Sequence, residues 1–320
     1  MNRHGVTPLT ESGLLAALTV VLALAAVYLP IIGVVATLIW SLPIIVLVVR
    51  HGIRFGLMAV IVSTIIMSLL IEPMFAARMA LSFAPTGLAI GYGFRKNWSA
   101  VKSFTVSLIA SVGGKALALI LFFMLTAINP LDMQLELLKE TFDETLNMYR
   151  TLGIMSEQDI AASAEQIKNG IALVAMLLPL VVILMGLLDA AIAFILGAKV
   201  LKRLGVAVNH FPPFAEWRLP QWILLLFGFA LVGLYWGSSH SIDVLYTVSI
   251  NVVVLSIFAG LIEGLSLVHV LMQRYQVKLV FRVIIYTILL LNGVFMQLIA
   301  MTGLLDMYFD YRRRLARVKK

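Results

Sequence analysis

The stretch SFTVSLIASVGGKALALILFFMLTA, residues 103–127, indicates the fold class of this chain. It exceeds the roughly 20 apolar residues with which a helix crosses a bilayer, so it predicts a membrane-spanning helix. Its one charge, Lys115, lies near the middle, where a charged side chain costs about 3 kcal/mol and usually has a partner or a function. Lys115 is therefore the first candidate functional residue.

The whole chain has the composition of a polytopic membrane protein. Of its 320 residues, 62% are hydrophobic and 12% are charged, whereas a soluble domain carries about twice that share of charge. We therefore predict an all-α polytopic membrane helical bundle of eight or nine spans. The candidate spans are Ser12–Leu29, Ile31–Val49, Phe55–Ile71, Met79–Phe94, Ser103–Ala127, Ile171–Ala198, Pro220–Gly237, Val244–Met272 and Val283–Leu305.

Composition and motifs exclude several function classes. The net charge of +8 comes from bases spread over short loops, so it does not predict a nucleic-acid partner. The chain has no cysteine, which excludes disulfides, thiol catalysis and cysteine metal sites. Its five histidines lack metal-ligand spacing, and it contains no catalytic triad motif and no phosphate-binding loop. We expect no enzyme activity, no metal and no cofactor.

Lysine and arginine are concentrated in alternate connections, which predicts the orientation. Basic connections lie on the cytoplasmic side, so we expect a bacterial inner-membrane protein whose N-terminus, with Arg3, is cytoplasmic. The connection 128–170 then lies outside, and it carries eight acidic and three basic residues. The basic residues of the cytoplasmic connections are Arg50, Arg54, Arg95, Lys96, Lys102, Lys199, Lys202, Arg203, Arg218, Arg274, Lys278 and Arg282.

The ninth segment, Val283–Leu305, conflicts with this assignment. If it spans, the tail 306–320 with its six basic residues lies outside, against the same rule. Either the segment turns back at Asn292-Gly293 as a re-entrant hairpin buried by protein, or the tail is an exception. We favour the first alternative, with both termini cytoplasmic and the tail in contact with anionic lipid.

The acidic connection has helical structure of its own. Apolar residues recur at spacings of three and four from Leu135 to Tyr149, which predicts an amphipathic helix. Gly153 then ends this helix, and Ser156 with Asp159 predicts the start of a second short helix. Two interpretations stay open, a hairpin on the membrane surface and a lid over a cavity.

Small residues predict where helices pack closely, because lipid supplies no hydrophobic drive for helix association. We expect most of these contacts to lie within the chain. The stripe on the first helix is the exception, since an outer helix can dock a partner subunit. The helix-packing candidates are Ser12, Ala16, Thr19 and Ala23 in the first helix, Gly87 and Gly91 in the fourth span, and Gly260 and Gly264 in the eighth.

Three lone charges in different spans form the candidate site. Lys115 lies about 18 Å from the cytoplasmic end of its span, and Asp189 and Glu263 lie about 13 Å from theirs, so all three are predicted to share one layer. Asn251 and Asn292 add polar groups in the last two segments. Three interpretations remain: a buried ion pair that fixes helix register, a solute or ion site, and a proton relay.

Several short motifs are spread over most of the chain. They are Leu42-Pro43-Ile44, Arg50-His51-Gly52, Arg54-Phe55-Gly56, Pro85-Thr86-Gly87 with Gly91, and Gly303-Leu304-Leu305-Asp306 through Asp310-Tyr311-Arg312. In these motifs the chain resembles an uncharacterised family of bacterial polytopic membrane proteins, a domain of unknown function. That family is distantly similar to the S components of energy-coupling-factor vitamin transporters.

The resemblance implies a fold and a transport role but no ligand. S components have six helices with a small-residue face on the first. They bind a vitamin or metal in an outward-facing pocket and dock on a transmembrane coupling subunit driven by ATPases. The implied division is a six-helix core 1–200 including the acidic loop 128–170, a cytoplasmic loop 201–219, additional helices 220–305 and a basic tail 306–320. The additional helices and the long acidic loop depart from the S-component pattern.

Two functions are compatible with these observations. The first is a small-solute-binding subunit of a transporter that lacks its own ATPase, with the lipid bilayer, a coupling subunit and ATPases as partners. The alternative is a non-transport scaffold or assembly protein. It would bind another membrane protein through its small-residue faces, and its buried charges would be purely structural.

Overall fold

A computed structural model describes residues 8–317, and most of them are helical. No strand occurs among these residues, so the predicted all-α fold is confirmed. Arg3, Lys319 and Lys320, which entered the predicted orientation and basic tail, lie outside the described residues. The helices are α1 (Pro8–Tyr28), α2 (Pro30–Ile39), α3 (Leu42–His51), α4 (Ile53–Leu70), α5 (Pro73–Arg95), α6 (Ala100–Thr126), α7 (Pro130–Thr151), α8 (Glu157–Arg203), α9 (Trp222–Ser239), α10 (Asp243–Arg274), α11 (Leu279–Leu291), α12 (Gly293–Phe309) and α13 (Tyr311–Arg317).

Eight helices within residues 8–317 are long and apolar enough to cross a membrane. They correspond to the first eight predicted segments, and the second of these spans combines α2 and α3. The helix is interrupted at Trp40 and Ser41, beside Pro43, which has no N–H to donate to the carbonyl four residues earlier. The ninth predicted segment is broken, since α11 and α12 meet at Asn292 with a bend of 99°.

The helices form two compact units. The first comprises residues 8–171 and 181–211, and the second comprises residues 172–180 and 212–317. Helix α8 contributes to both units, because its residues 172–180 belong to the second. The domain boundaries drawn from the sequence at residues 200, 219 and 305 stay predictions.

The small-residue stripe of α1 faces the interior of the first unit. All four of its residues are at most 8% exposed. Ala16 clusters with Leu47 of α3 and Ala59 of α4, so the small side chains let α1 approach these helices. The expectation that this stripe docks a partner subunit is wrong, because the chain itself already covers it. The buried residues of the stripe are Ser12, Ala16, Thr19 and Ala23.

Both glycine pairs also pack within their own units. Gly87 and Gly91 of α5 lie against α3, where a Cβ at position 91 would come 2.6 Å from the Cβ of Val48. Gly260 and Gly264 of α10 lie against α12, where a side chain at either position would overlap backbone carbonyl groups. These glycines therefore permit close helix contacts that no larger residue allows.

The acidic connection has the predicted amphipathic helix but not the predicted second short helix. Helix α7 ends at Thr151, and Gly153 adopts a left-handed φ of 64°. Ser156 then caps α8 by accepting a hydrogen bond from the Asp159 backbone N–H. Helix α8 is one helix of 47 residues, about 70 Å long and more than twice the bilayer core. The prediction failed because the capping signal marks where a helix begins and not where it ends.

Helices α9 and α10 form an antiparallel hairpin in the second unit. Gly237 packs against Tyr246, and Gly233 packs against Ser249. The residue numbers rise along one helix while they fall along the other, so the start of α9 and the end of α10 lie at the same end of the unit. Helix α11 begins shortly after α10 and therefore begins at that end as well.

The chain returns to the same end after α12. Arg312 donates hydrogen bonds of 2.9 Å to the carbonyl oxygens of Ala215 and Trp217, which lie just before α9. The segment 279–309 thus starts and finishes at one end of the second unit. We infer that it turns back at Asn292, which gives eight crossings and puts the C-terminal tail on the side of the α8–α9 connection.

Because the chain has no native cysteine, single cysteines can test this topology. We expect Arg314→Cys to react with a membrane-impermeant maleimide from the same side as Glu216→Cys, in vesicles of known orientation. Ser239→Cys, at the end of α9, is expected to react from the opposite side and serves as the control. If Arg314→Cys instead reacts from the same side as Ser239→Cys, the chain has nine crossings and the inference is wrong.

Candidate functional site: a buried polar layer in the first unit

Lys115 and Asp189 form an ion pair inside the first unit. Lys115 Nζ lies 2.8 Å from Asp189 Oδ2, and the two side chains are 12% and 4% exposed. Helix α6 supplies the lysine and α8 supplies the aspartate, each from within an apolar span. A lone charge in hydrocarbon is expensive, so each partner offsets much of the burial cost of the other.

Hydroxyl groups on α5 and α6 hold the pair in place. Thr86 Oγ1 and Ser111 Oγ donate to Asp189 Oδ2 at 3.0 and 2.8 Å. Lys115 also donates to Ser111 Oγ at 3.1 Å and to the Ser82 carbonyl oxygen at 3.2 Å. Residues four apart share one face of a helix, and this spacing brings Ser111 and Lys115 to the pair together. All three ammonium hydrogens therefore have acceptors.

Four buried side-chain polar atoms have no hydrogen-bond partner within the described residues: Asp189 Oδ1, Trp40 Nε1, Ser41 Oγ and Ser103 Oγ. The first belongs to the ion pair, and the next two belong to the interruption between α2 and α3. Each of these residues is at most 3% exposed. The sequence brings Trp40 and Ser41 to this depth at the interruption between α2 and α3, in the middle of the second span.

Contacts connect Trp40 and Ser41 to α5, one of the helices that hold the ion pair. Ser41 lies against Gly87, whose Cβ position would be 3.2 Å from the Cβ of Ser41. The neighbouring residue Thr86 is the one that binds the aspartate. On the other side, the ring of Trp40 lies 6.3 Å from that of Phe83, and the Phe83 ring centre lies 4.7 Å from the lysine ammonium. Four spans therefore converge on one polar layer.

The unpartnered atoms define what this layer can bind. A buried polar group without a partner costs about 1–3 kcal/mol, so such groups are rare in folded proteins. Trp40 Nε1 can only donate, Ser41 Oγ can donate or accept, and Asp189 Oδ1 accepts. This set complements a small polar molecule that carries both acceptor and donor groups. Lys115 has no free donor and acts by holding the aspartate.

Glu263 pairs with Arg312 in the second unit and not with Lys115. That the three charges share one layer stays a prediction. The Glu263 carboxylate accepts hydrogen bonds from Arg312 Nη2 at 2.7 Å and from the Leu219 N–H at 2.8 Å. Extending the α9–α10 register places Trp222, the first residue of α9, level with Gly260. Glu263 thus lies just past the level at which α9 begins, because α10 extends beyond the start of α9.

The guanidinium of Arg312 is fully enclosed by acceptors. Its Nε lies 3.0 Å from Asp306 Oδ2, and its Nη2 binds both the carboxylate and the carbonyl oxygen of Glu263. Nη1 binds the two carbonyl oxygens in front of α9. The side chain is 6% exposed, so this tail arginine is buried in protein rather than in contact with lipid.

Asp310 pairs with two arginines next to this cluster, and its side chain is more exposed than those of the cluster. Its carboxylate oxygens lie 2.9 Å from Arg218 Nη1 and 3.0 Å from Arg313 Nε. The hydrogen bond from Arg218 holds the pKa of Asp310 below its ordinary value. Asp310 itself adopts a left-handed φ of 47° between α12 and α13. This turn lets Arg312 reach back to Asp306 across six residues.

Asn251 binds two backbone groups in one turn of α8. Pro179 lies within that helix, and Asn251 Oδ1 accepts from the Leu180 N–H at 2.9 Å while Nδ2 donates to the Met176 carbonyl at 2.7 Å. These two backbone groups are four residues apart, the spacing of a regular helical hydrogen bond. The amide side chain therefore binds backbone groups of α8 next to the proline and not Lys115.

Asn292 has a local structural role. Its Oδ1 accepts from the N–H groups of Val294 and Phe295 at 3.0 and 3.2 Å, so it caps the start of α12. This cap explains why the helix is broken at Asn292, where the sequence predicted a turn.

Sequence reasoning missed Trp40 and Ser41. Their signal was Pro43, a proline within an apolar span, which interrupts a helix at the preceding turn. Arg312 was assigned to an exposed tail, because a cluster of basic residues after the last span is typical of such a tail, and its burial was not predicted.

Comparisons with known proteins support the membership predicted from the motifs. Residues 17–307 match the profile of the family described as "Predicted membrane protein (DUF2232)". A relative from Bacillus subtilis (strain 168), named "Uncharacterized protein YybS", is 23% identical over 312 residues, which cover 96% of this chain and 97% of that protein. No solved structure matches the chain. The predicted resemblance to a family of polytopic membrane proteins is therefore confirmed, and the chain belongs to the DUF2232 family.

Proposed function

We propose that this protein is the small-solute-binding subunit of a membrane transporter. The observation that carries the proposal is the set of three unpartnered atoms, Trp40 Nε1, Ser41 Oγ and Asp189 Oδ1, beside a buried ion pair. Interrupted helices next to a polar layer near the middle of the spans are a recurrent construction of transporter binding sites. The solute would carry at least one hydrogen-bond donor and one acceptor.

The proposal assigns the energy source to partner proteins. The sequence has no phosphate-binding loop, so uptake would use a transmembrane coupling subunit and ATPases, as in the S components that the sequence resembles. The protein would lie in a bacterial inner membrane with its basic connections and both termini in the cytoplasm. The acidic connection 128–170 would then cover the outer mouth. The proposal includes no catalytic step.

The scaffold alternative depended on small-residue faces that are free to bind another membrane protein. The stripe of α1 and both glycine pairs are already packed within their units. This packing removes the surfaces that favoured the alternative.

Removal of an unpartnered hydroxyl distinguishes a ligand site from a structural one. A hydroxyl without a protein partner adds nothing to folding, so Ser41→Ala should leave stability unchanged or raise it slightly. If the hydroxyl binds a solute, the same substitution should lower solute affinity by about tenfold, the value of one hydrogen bond. Ser103→Ala is the matched control, because Ser103 Oγ is also buried and unpartnered but packs on Gly93 instead.

The experiment is native mass spectrometry of the protein purified in mild detergent. We expect a small molecule to be retained by the wild type and by Ser103→Ala, and its occupancy to fall in Ser41→Ala. Equal occupancy in the two serine variants, or no retained molecule in any of them, would contradict the proposal.

A further inference from the structure

A groove on the first unit encloses about 380 Å³ and is lined almost entirely by apolar side chains. One wall is the leucine face of α1, which lies beside the buried small-residue stripe. The opposite wall comes from α2 and α3, and the end of α8 closes one edge. The lining residues are Glu11, Leu15, Leu18, Leu22, Ile39, Leu42, Pro43, Val46, Arg50, Val200 and Leu204. We call it the α1 groove.

The length of the α1 groove matches one leaflet of a bilayer. Glu11 and Leu22 mark its extent along α1, which corresponds to about 16 Å at 1.5 Å per residue. Half of a bilayer core measures about 15 Å. Because the walls belong to helices apolar enough to span a membrane, the groove is expected to open to hydrocarbon between the end and the middle of the spans.

Charge is confined to one end of the groove. Arg50 Nη1 is bound to Glu11, which also lies 2.6 Å from His51 Nε2. The Arg50 side chain is 44% exposed, and only one of its nitrogens binds the carboxylate. Arg54 follows one turn later on the next helix, and Arg203 directly precedes the lining residue Leu204; both are exposed. Positive charge therefore exceeds negative charge at this end.

We propose that the α1 groove binds an anionic phospholipid, with one acyl chain between α1 and α3 and the phosphate at Arg50. The apolar walls complement the acyl chain, and the length fits a single chain in one leaflet. The basic end complements a headgroup with net negative charge, because each basic residue near a membrane surface favours anionic lipid. The residues that hold the ion pair, Lys115, Asp189, Thr86 and Ser111, are not among those that line the groove.

Lipid titration of the delipidated protein tests the headgroup. Dioleoyl phosphatidylglycerol and dioleoyl phosphatidylcholine have the same acyl chains and differ in net charge. We expect native mass spectrometry to show about fivefold tighter binding of phosphatidylglycerol, which corresponds to about one favourable basic contact. Equal binding of the two lipids would overturn the proposal, since the groove would then be filled by any hydrocarbon chain.

Two pairs of variants locate the site. Leu18→Trp fills the groove and should abolish the preferential binding of phosphatidylglycerol. Leu14→Trp, at an exposed position of the same helix that does not line the groove, should retain it.

The charged end is tested by a second pair. Glu11→Gln should strengthen phosphatidylglycerol binding, whereas Arg50→Gln should weaken it. Loss of folding cannot change the affinity in opposite directions in the two variants. Unchanged binding in Leu18→Trp, or the same direction in both charge variants, would overturn the proposal.

Discussion

Arg312→Ala is expected to lower the free energy of unfolding of the second unit by about 3–5 kcal/mol, because it leaves buried carboxylates without their counter-charge. Glu263 and Asp306 are 2% and 5% exposed, and both bind the guanidinium. The substitution also removes donors from the carbonyl oxygens of Ala215 and Trp217. Arg312→Lys should recover only part of the loss, since an ammonium cannot reproduce the planar five-donor geometry.

Denaturant titration in dodecylmaltoside micelles measures this effect. Arg313→Ala is the matched control, because Arg313 is the next residue, its side chain is 77% exposed, and an exposed ion pair contributes less than about 1 kcal/mol. Combining Arg312→Met with Glu263→Gln and Asp306→Asn removes all three charges and should restore much of the stability. An Arg312→Ala variant as stable as Arg313→Ala would contradict the description of a buried charge cluster.

Lys115→Met is expected to destabilise the first unit by about 3–5 kcal/mol, because it leaves the Asp189 carboxylate buried without a counter-charge. The aspartate keeps two hydroxyl donors, Thr86 and Ser111, but hydroxyl groups do not neutralise a charge. Addition of Asp189→Asn to Lys115→Met should restore most of the stability, since neither charge then remains.

The same micelle titration measures this effect. Lys102→Met changes the same residue type at an exposed position on the same helix and should cost less than about 1 kcal/mol. If Lys115→Met and Lys102→Met are equally stable, the ion pair does not stabilise the fold. If the double variant is no more stable than Lys115→Met, the effect comes from lost packing and not from an unpaired charge.

The spans could be predicted from the sequence because the length of an apolar run reports directly on membrane crossing. The pairing of Lys115 with Asp189 followed from the same physics, since each is a single charge in an apolar run and the two lie at comparable depth. Depth alone could not identify the partner of Glu263. That partner is Arg312, which follows the last apolar run, and a run of apolar residues does not specify which other segment lies beside it.

The unpartnered atoms at Trp40 and Ser41 illustrate a second limit. Whether a buried polar atom has a partner depends on distances between helices that are far apart in sequence. The proline signal at Pro43 indicated an interruption but not what lies opposite it. The α1 stripe shows the same limit, because small residues predict close packing but do not specify whether the neighbour belongs to the same chain.

An electron cryomicroscopy map of the protein purified from its native membranes tests the solute site most directly. We expect density larger than a water molecule within hydrogen-bond distance, about 2.7–3.2 Å, of Asp189 Oδ1 and of Trp40 Nε1 or Ser41 Oγ. A map in which these atoms bond to one another or to neighbouring protein groups, with no additional density between them, would contradict the proposed solute site.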